Sequence, residues 1–388
     1  MIIESAATDE FETRSRITTA ALRAAFAWSA RSHELRAVEE LARMTGVIMF
    51  EHGPGRGPVT PMDLVRLLRQ PMRNLWPASL AGESADPALD DLVLLTAGDA
   101  LSDDAYDVGS DYICGVMAGR DPARDWLPSW AWMRANDVEE QVFGALRKSG
   151  DPLAYTVNRR FIVEHPAGHQ EEVADACNMA GAQRLARYIP MPSSKLYRNR
   201  DGVWWWPCPV CRWPMAVEAH MARCAYRHHR AVFQIVDTPG RLHLLPTDPD
   251  GHLRSVAYEP QIPAAQPADG AIQVDEPVWR FIVVPGASEL RMWTALDGHG
   301  VPVVLYPGFD RCDLDIADGR WEADVKEHNS VGGLLRHLED KPLKATHLVL
   351  PQSHAGQANG LRGRIPQRVL TENELYKEVL REYSQAGA

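Results

Sequence analysis

Apolar positions recur at helical spacing over residues 18–49, where Ala21-Leu22, Ala25-Phe26, Leu35, Val38 and Leu41 fall three or four apart among Ala, Arg and Glu. Pro54-Gly55 and Gly57-Pro58 break this pattern. Thr60 then reads as an N-cap with Pro61 in the first helical position, leading into Leu64-Val65-Arg66-Leu67-Leu68. Helical patterning continues to about Tyr188, and within it Trp126, Trp130 and Trp132 read as packing aromatics, with a protein-docking surface as the alternative. The pattern changes near Tyr197, where Trp204-Trp205-Trp206-Pro207 precedes a pair of cysteines. Residues 260–277 are mostly Pro, Ala, Gln, Gly and Asp, which bury little and mark a linker. Beyond them the spacing predicts a strand at 281–284, a helix at 288–296, a strand at 302–306, a hairpin, a helix at 331–338, a strand at 347–350 and a helix at 372–383.

The fold class that follows is multidomain. A mostly helical region covers 1–195, a small Cys/His zinc-finger module 196–237, a linker 238–277, and an α/β domain with a mixed central sheet 278–388.

Asp318-Gly319 between two alternating runs predicts a type I′ hairpin, because both central positions of that turn need positive φ. The turn sets the register: Ile316 opposite Trp321, Asp315 opposite Glu322, Leu314 opposite Ala323, Asp313 opposite Asp324. Leu314, Ile316, Trp321, Ala323 and Val325 then face a core, while Asp313, Asp315, Glu322, Asp324 and Lys326 share the other face. Four carboxylates with opposed Cβ atoms only ~5 Å apart repel unless a cation lies between them. A divalent ion, Mg2+ or Mn2+, answers this, and Lys326 is placed to stabilise a phosphate. The competing reading is a solvated amphipathic hairpin on which Lys326 simply pairs with Asp324. Asp315 is the reserve ligand, used only if a bulge shifts the pairing by two residues.

Cys208-x2-Cys211-x12-Cys224-x3-His228 reproduces the ligand spacing of a zinc finger with Cys in place of the first His, and Trp206, Met215 and Met221 supply the apolar positions. Four protein ligands leave no open position, so the site reads as structural zinc, with two donors from the Cys knuckle and two from a helix. His229 and His220 are alternative fourth ligands. Arg212, Arg223, Arg227 and Arg230 could meet DNA, and a staple between domains is the competing role.

Composition narrows the rest. A net charge of −11 over 388 residues argues against general coating of nucleic acid, so any DNA contact must be local. Six cysteines with one metal-type pair suit a reducing compartment. With no apolar stretch of membrane length and no basic and apolar leader pattern, the expectation is a cytoplasmic protein without membrane contact.

An apolar strand, an Asp in register across a turn, Asp324-Val325-Lys326, and then helix and strand resemble the PD-(D/E)XK, or restriction-endonuclease-like, superfamily. Tyr306-Pro307-Gly308-Phe309-Asp310 adds a proline of the kind often found there. The resemblance implies metal-dependent cleavage of phosphodiester bonds with Asp313 and Asp324 on the metal and Lys326 beside it. It also implies a role for an acidic residue on the preceding helix, here Glu289, which a helix N-terminus favours in any case. Arg362 and Arg364, with Gln352 and Arg368, are candidates for the phosphate backbone, although surface arginines need no such reason. The helical start, the Trp-rich Cys-Pro-x-Cys module and the nuclease-like end together resemble the endonuclease-related proteins encoded beside prokaryotic PIWI proteins and a helicase. That implies DNA as substrate, those proteins as partners, and defence against phage or plasmids. A non-catalytic zinc-containing adaptor or DNA-binding subunit with an inactive nuclease fold is the alternative.

Overall fold

The computed structural model describes residues 2–32, 34, 36–80, 87–102, 105, 142, 144–148, 150–247, 261–328 and 331–386; Trp126, Trp130 and Trp132 lie outside them. The chain divides into two compact units, Met1–Trp132 with His328–Pro342, and Met133–Glu327 with Leu343–Ala388.

In the first unit, helices Ile2–Ala30 and Ala37–His52 pack against each other. Ala20, Ala21, Ala24, Ala25 and Ala27 are fully or nearly fully buried, and such small side chains let helix backbones approach closely. The third helix, Pro61–Leu68, starts as the sequence predicts: Thr60 Oγ1 accepts from Asp63 N–H at 3.1 Å, and Asp63 Oδ2 accepts from Thr60 N–H at 2.9 Å, a reciprocal cap. Helix Val331–Asp340 also belongs to this unit, although in sequence it lies between two strands of the other.

The second unit is built on a five-stranded mixed sheet in the order Val303–Leu305, Leu314–Ile316, Trp321–Val325, His347–Leu350, Arg368–Thr371. The first three strands are antiparallel, and the last two run parallel to Trp321–Val325. The hairpin pairs Ile316 with Trp321, Asp315 with Glu322 and Leu314 with Ala323, and the five apolar residues expected to face the core are buried.

Several sequence expectations need correction. The run at 281–284 is helical: a π-helical turn at Trp279–Val283 continues into helix Val284–Asp297, with Val284 N–H donating to the Trp279 carbonyl. Trp279, Ile282, Val283 and Val284 are buried, and an apolar run covered on all sides loses the periodicity that tells strand from helix. Pro285, which has no N–H to give, sits at the junction. The stretch 238–277 is not a plain linker. It holds strand Arg241–Pro246 and the buried strand Ala271–Val274, which pairs with both Ala167–His169 and Tyr188–Pro190. Nor do residues 196–237 form a separate finger. Strands Ala216–Glu218, Met221–Arg223, Val232–Thr238 and Arg241–Pro246 make a four-stranded antiparallel sheet, and the expected finger helix is replaced by a short 3-10 turn at Arg227–His229. Its buried residues Cys208, Cys211, Met215, Cys224 and Phe233 belong to one core with Leu314, Ala323 and Val325.

Helix Pro152–Glu164, inside the stretch 1–195 expected to form the helical N-terminal region, packs in the second unit against helix Val284–Asp297. Gly286 makes the approach possible, since a Cβ there would lie 2.4 Å from Val163 Cγ2. Gly286→Ala is expected to destabilise by about 1–2 kcal/mol, because overpacking against a stiff β-branched side chain exceeds the roughly 1 kcal/mol that alanine gains in a helix. An unchanged urea midpoint would mean that the two helices can part at no cost.

Candidate active site and metal centre

The hairpin turn carries left-handed backbone at three successive residues, Ala317, Asp318 and Gly319, with φ of 51°, 55° and 85°. Asp315 is spent on it, because its Oδ1 accepts from Gly319 N–H at 2.7 Å. At the other end the ladder stops at Leu314 and Ala323, one pair short of the expected Asp313 with Asp324. Asp313 N–H still donates to the Ala323 carbonyl at 3.1 Å, and the Asp313 carbonyl accepts from Tyr306 N–H at 2.9 Å. Its carboxylate turns inward, where Oδ2 accepts from Val325 N–H at 2.7 Å.

Asp313 and Asp324 are 3% and 7% exposed. Lys326 Nζ lies 3.7 Å from Asp313 Oδ2 and 3.6 Å from Asp324 Oδ1, so the ammonium is shared between them. Burial pushes the Asp313 carboxyl well above its usual range, with Glu289 and Asp310 adding to the rise while Lys326 and Arg159 oppose it. Burial works to lower the Lys326 ammonium, but Asp313, Asp324, Glu289 and Asp310 outweigh it and raise it.

Arg159, on helix Pro152–Glu164, is the member of this charged cluster that the motifs did not flag. Its guanidinium, 5% exposed, donates to Glu289 Oε1 at 3.1 Å and Oε2 at 2.9 Å, pairs with Asp310 Oδ1 at 2.6 Å, and lies 3.8 Å from Asp313 Oδ1. It also stacks over the buried Tyr306 ring at 3.8 Å. Glu289 is 2% exposed, and burial raises its carboxyl while Arg159 holds it back. Tyr306, Gly308, Phe309 and Asp310 all have positive φ, so Arg159 anchors a strained turn at the end of strand Val303–Leu305. A signal existed: Tyr155, Arg159 and Val163 recur four apart on a buried helix face, where a lone arginine is anomalous.

The remaining predicted residues are placed elsewhere. Asp315 and Glu322 are bridged by Arg311, which neutralises that half of the acidic face without a metal. Arg362 pairs with both oxygens of Glu374, at 2.7 and 2.6 Å, and Arg368 with Glu378 at 2.7 Å. Arg364 is exposed and reaches the Gly360 carbonyl at 3.5 Å, while Gln352 N–H donates to Glu372 Oε2 at 3.1 Å.

A second centre gathers Cys208, Cys211, Cys224 and His229, all buried, with one donor atom from each lying within 4.8 Å of all the others. His229 takes the place expected for His228, whose ring instead lies 4.3 Å from that of His354, and His220 lies against Tyr197. The cause is the missing finger helix. After Cys224 the chain makes a tight turn, closed by Cys224 N–H to the Ala231 carbonyl at 2.9 Å with Arg230 at φ 50°, and this turn brings the fifth residue after Cys224 inward. At the knuckle, Val210 N–H donates to Cys208 Sγ at 3.4 Å. Donor separations are 3.9 Å for Cys211 Sγ to Cys224 Sγ, and 3.6 and 3.4 Å from His229 Nδ1 to the sulfurs of Cys208 and Cys224. A tetrahedron with zinc bond lengths has edges of about 3.8 Å between sulfurs and about 3.6 Å between sulfur and nitrogen, so this donor set fits zinc. Burial raises the Cys208 and Cys224 thiols above their usual range, a penalty that a bound cation lifts by taking them as thiolates.

Among the described residues, no helix is long and apolar enough to cross a membrane. No curated protein and no solved structure matches the chain. Two family models do: one described as pPIWI_RE three-gene island domain Y, over residues 13–169, and one described as REase associating with pPIWI_RE, over residues 286–387. Arg159 falls in the first match, and Glu289, Asp310, Asp313, Asp324 and Lys326 fall in the second, so the acidic centre draws on both. The cysteine and histidine centre lies between them. In this order on one polypeptide, the two matches make the chain similar to pPIWI_RE three-gene island proteins through both domain Y and the REase associating with pPIWI_RE.

Proposed function

We propose that the chain is a metal-dependent endonuclease of the PD-(D/E)XK, restriction-endonuclease-like kind that cleaves DNA in defence against foreign DNA. The observation that carries this reading is the Lys326 ammonium held between the buried carboxylates of Asp313, just before strand Leu314–Ile316, and Asp324, in strand Trp321–Val325 of the mixed sheet. Among the described residues, the ion pairs of Glu289, Asp310, Asp313 and Asp324 are made by two cations, Arg159 and Lys326, so a divalent ion would balance the negative charge that these carboxylates carry in excess when ionised. Carboxylate oxygens are the donors that Mg2+ or Mn2+ prefers. Bound at Asp313 and Asp324, such an ion supplies Lewis acidity and a water of lowered pKa. Lys326 orients the scissile phosphate and balances the charge that builds on it. Glu289, with both oxygens on Arg159, sets the charge and shape of the site from behind. The Cys208, Cys211, Cys224 and His229 centre holds structural Zn2+. Arg364, the most weakly engaged of the candidate arginines, is the first choice for a DNA backbone contact, and the PIWI protein and helicase of the island are the expected partners.

Incubating plasmid DNA with the chain in Mg2+ or Mn2+, alone and with those partners, tests the reading. Asp324→Asn is expected to lower the cleavage rate roughly a hundredfold or more while near-UV circular dichroism is retained. If the wild-type chain cleaves in none of these mixtures, the enzyme reading is wrong and the non-catalytic adaptor takes its place.

A further inference from the structure

Lys326 is followed directly by a buried carboxylate. The Glu327 side chain is 2% exposed, and its Oε1 lies 3.8 Å from Nδ1 of His354, whose side chain is fully buried. His354 Nδ1 also meets Ser353 Oγ at 2.8 Å, and its Nε2 meets the Tyr226 hydroxyl at 3.3 Å. Tyr226, fully buried, stands edge-on to the ring of His229, the nitrogen donor of the cysteine and histidine centre, at 4.8 Å between centroids. His228 closes on His354 at 4.3 Å, and Arg280 lies 5.0 Å over the Tyr226 ring. A continuous buried chain therefore runs from the metal-type centre through Tyr226 and His354 to the residue beside Lys326.

Burying a carboxylate in such a place carries a desolvation penalty that an apolar side chain would avoid, and the sheet itself does not require it. Strand Trp321–Val325 is already paired to its neighbour, and Lys326 N–H donates to the Val349 carbonyl at 2.9 Å. What the sheet leaves undefined is the direction of the backbone after Lys326, and Glu327 is the first side chain that can define it.

We propose that Glu327 is a positioning residue that, through His354 and Tyr226, ties the strand end bearing Lys326 to the turn held by the Cys208, Cys211, Cys224 and His229 centre. The metal of that centre then acts on phosphodiester cleavage by fixing where the Lys326 ammonium sits, without touching substrate. This rests on the nuclease and zinc readings above.

Full-length Glu327→Gln, which keeps the shape and a hydrogen-bonding end, and Tyr226→Phe as a second variant, are compared with wild type by four measurements. These are zinc content, hydrogen exchange of a peptide covering residues 321–328, DNA affinity, and single-turnover cleavage in Mn2+. Zinc content is expected to stay at wild-type level, exchange in 321–328 to speed up, DNA affinity to hold, and the cleavage rate to fall roughly ten- to hundredfold, as small misplacements of reacting groups do. Unchanged exchange in both variants overturns the proposal. So does a wild-type rate, or a rate that falls only in step with DNA affinity. Faster exchange in a protein whose wild type never cleaves sinks the nuclease reading but keeps the tie. Loss of zinc with Glu327→Gln makes the residue part of the metal site and overturns the positioning role.

Discussion

Replacing Arg159 by methionine is expected to destabilise the second unit by about 3–5 kcal/mol, the range found when one member of a buried ion-pair group is removed. Methionine keeps the length and apolar stem of the side chain but removes the donors to both Glu289 oxygens and the partner of Asp310. Among the described residues, Lys326 is then the cation left in contact with this group of carboxylates. The loss has a pH signature. Burial already raises the folded-state pKa of Glu289 above its ordinary value, and removing Arg159 takes away the charge that opposes the rise. A carboxyl with a raised folded pKa binds its proton more tightly folded than unfolded. Its contribution is therefore fully present below the unfolded pKa and is lost as pH rises through the folded one. The deficit of Arg159→Met should be smaller near pH 5 than near pH 8 in urea unfolding without divalent metal. Adding Glu289→Met should recover part of it, because the buried charge goes with its partner. A deficit below about 1 kcal/mol, or one independent of pH, would remove Arg159 from its place as the central counter-ion.

Arg159 also marks where sequence reasoning stops. The hairpin was legible because Asp318-Gly319 and strict alternation act locally, and a one-residue slip would expose Leu314, Ile316 and Trp321. The cap at Thr60 was legible for the same reason. The acidic centre was visible only in part, since Asp313, Asp324 and Lys326 lie on one hairpin whereas Arg159 arrives from 130 positions before Glu289. Nothing local records that pairing except a charge on an apolar helix face. The helix at 279–297 was hidden by burial on all sides, and strand Ala271–Val274 by its Pro- and Gly-rich flanks. Finger spacing selects His228 because it presumes a helix, and a short turn in place of that helix brings His229 to the three cysteines instead. Strand Arg368–Thr371 is four residues long with an exposed arginine at its start, too little pattern to announce a fifth strand.

The centre of Cys208, Cys211, Cys224 and His229 yields the largest expected effect. Cys211→Ser, or removal of the ion by a strong chelator, should unfold the second unit, including the five-stranded sheet, and not merely loosen a hairpin. Structural zinc contributes an apparent ~10–16 kcal/mol of binding free energy in small metal-dependent folds, against a typical domain stability of ~5–15 kcal/mol. In a free-standing finger that loss would stay local. Here Cys211 Sγ accepts from the Trp279 indole N–H at 3.4 Å, Trp279 stacks on Trp213 at 4.2 Å, and the cysteines share one core with Leu314, Ile316, Trp321 and Val325. Trp279 also sits in the π-helical turn that leads into the helix carrying Glu289, so collapse at the sulfurs reaches the acidic centre through one side chain. Metal analysis should find one zinc per chain, and its removal should abolish the near-UV signal of the buried tryptophans. A zinc-free chain that keeps that signal would return the module to the status of a separable finger.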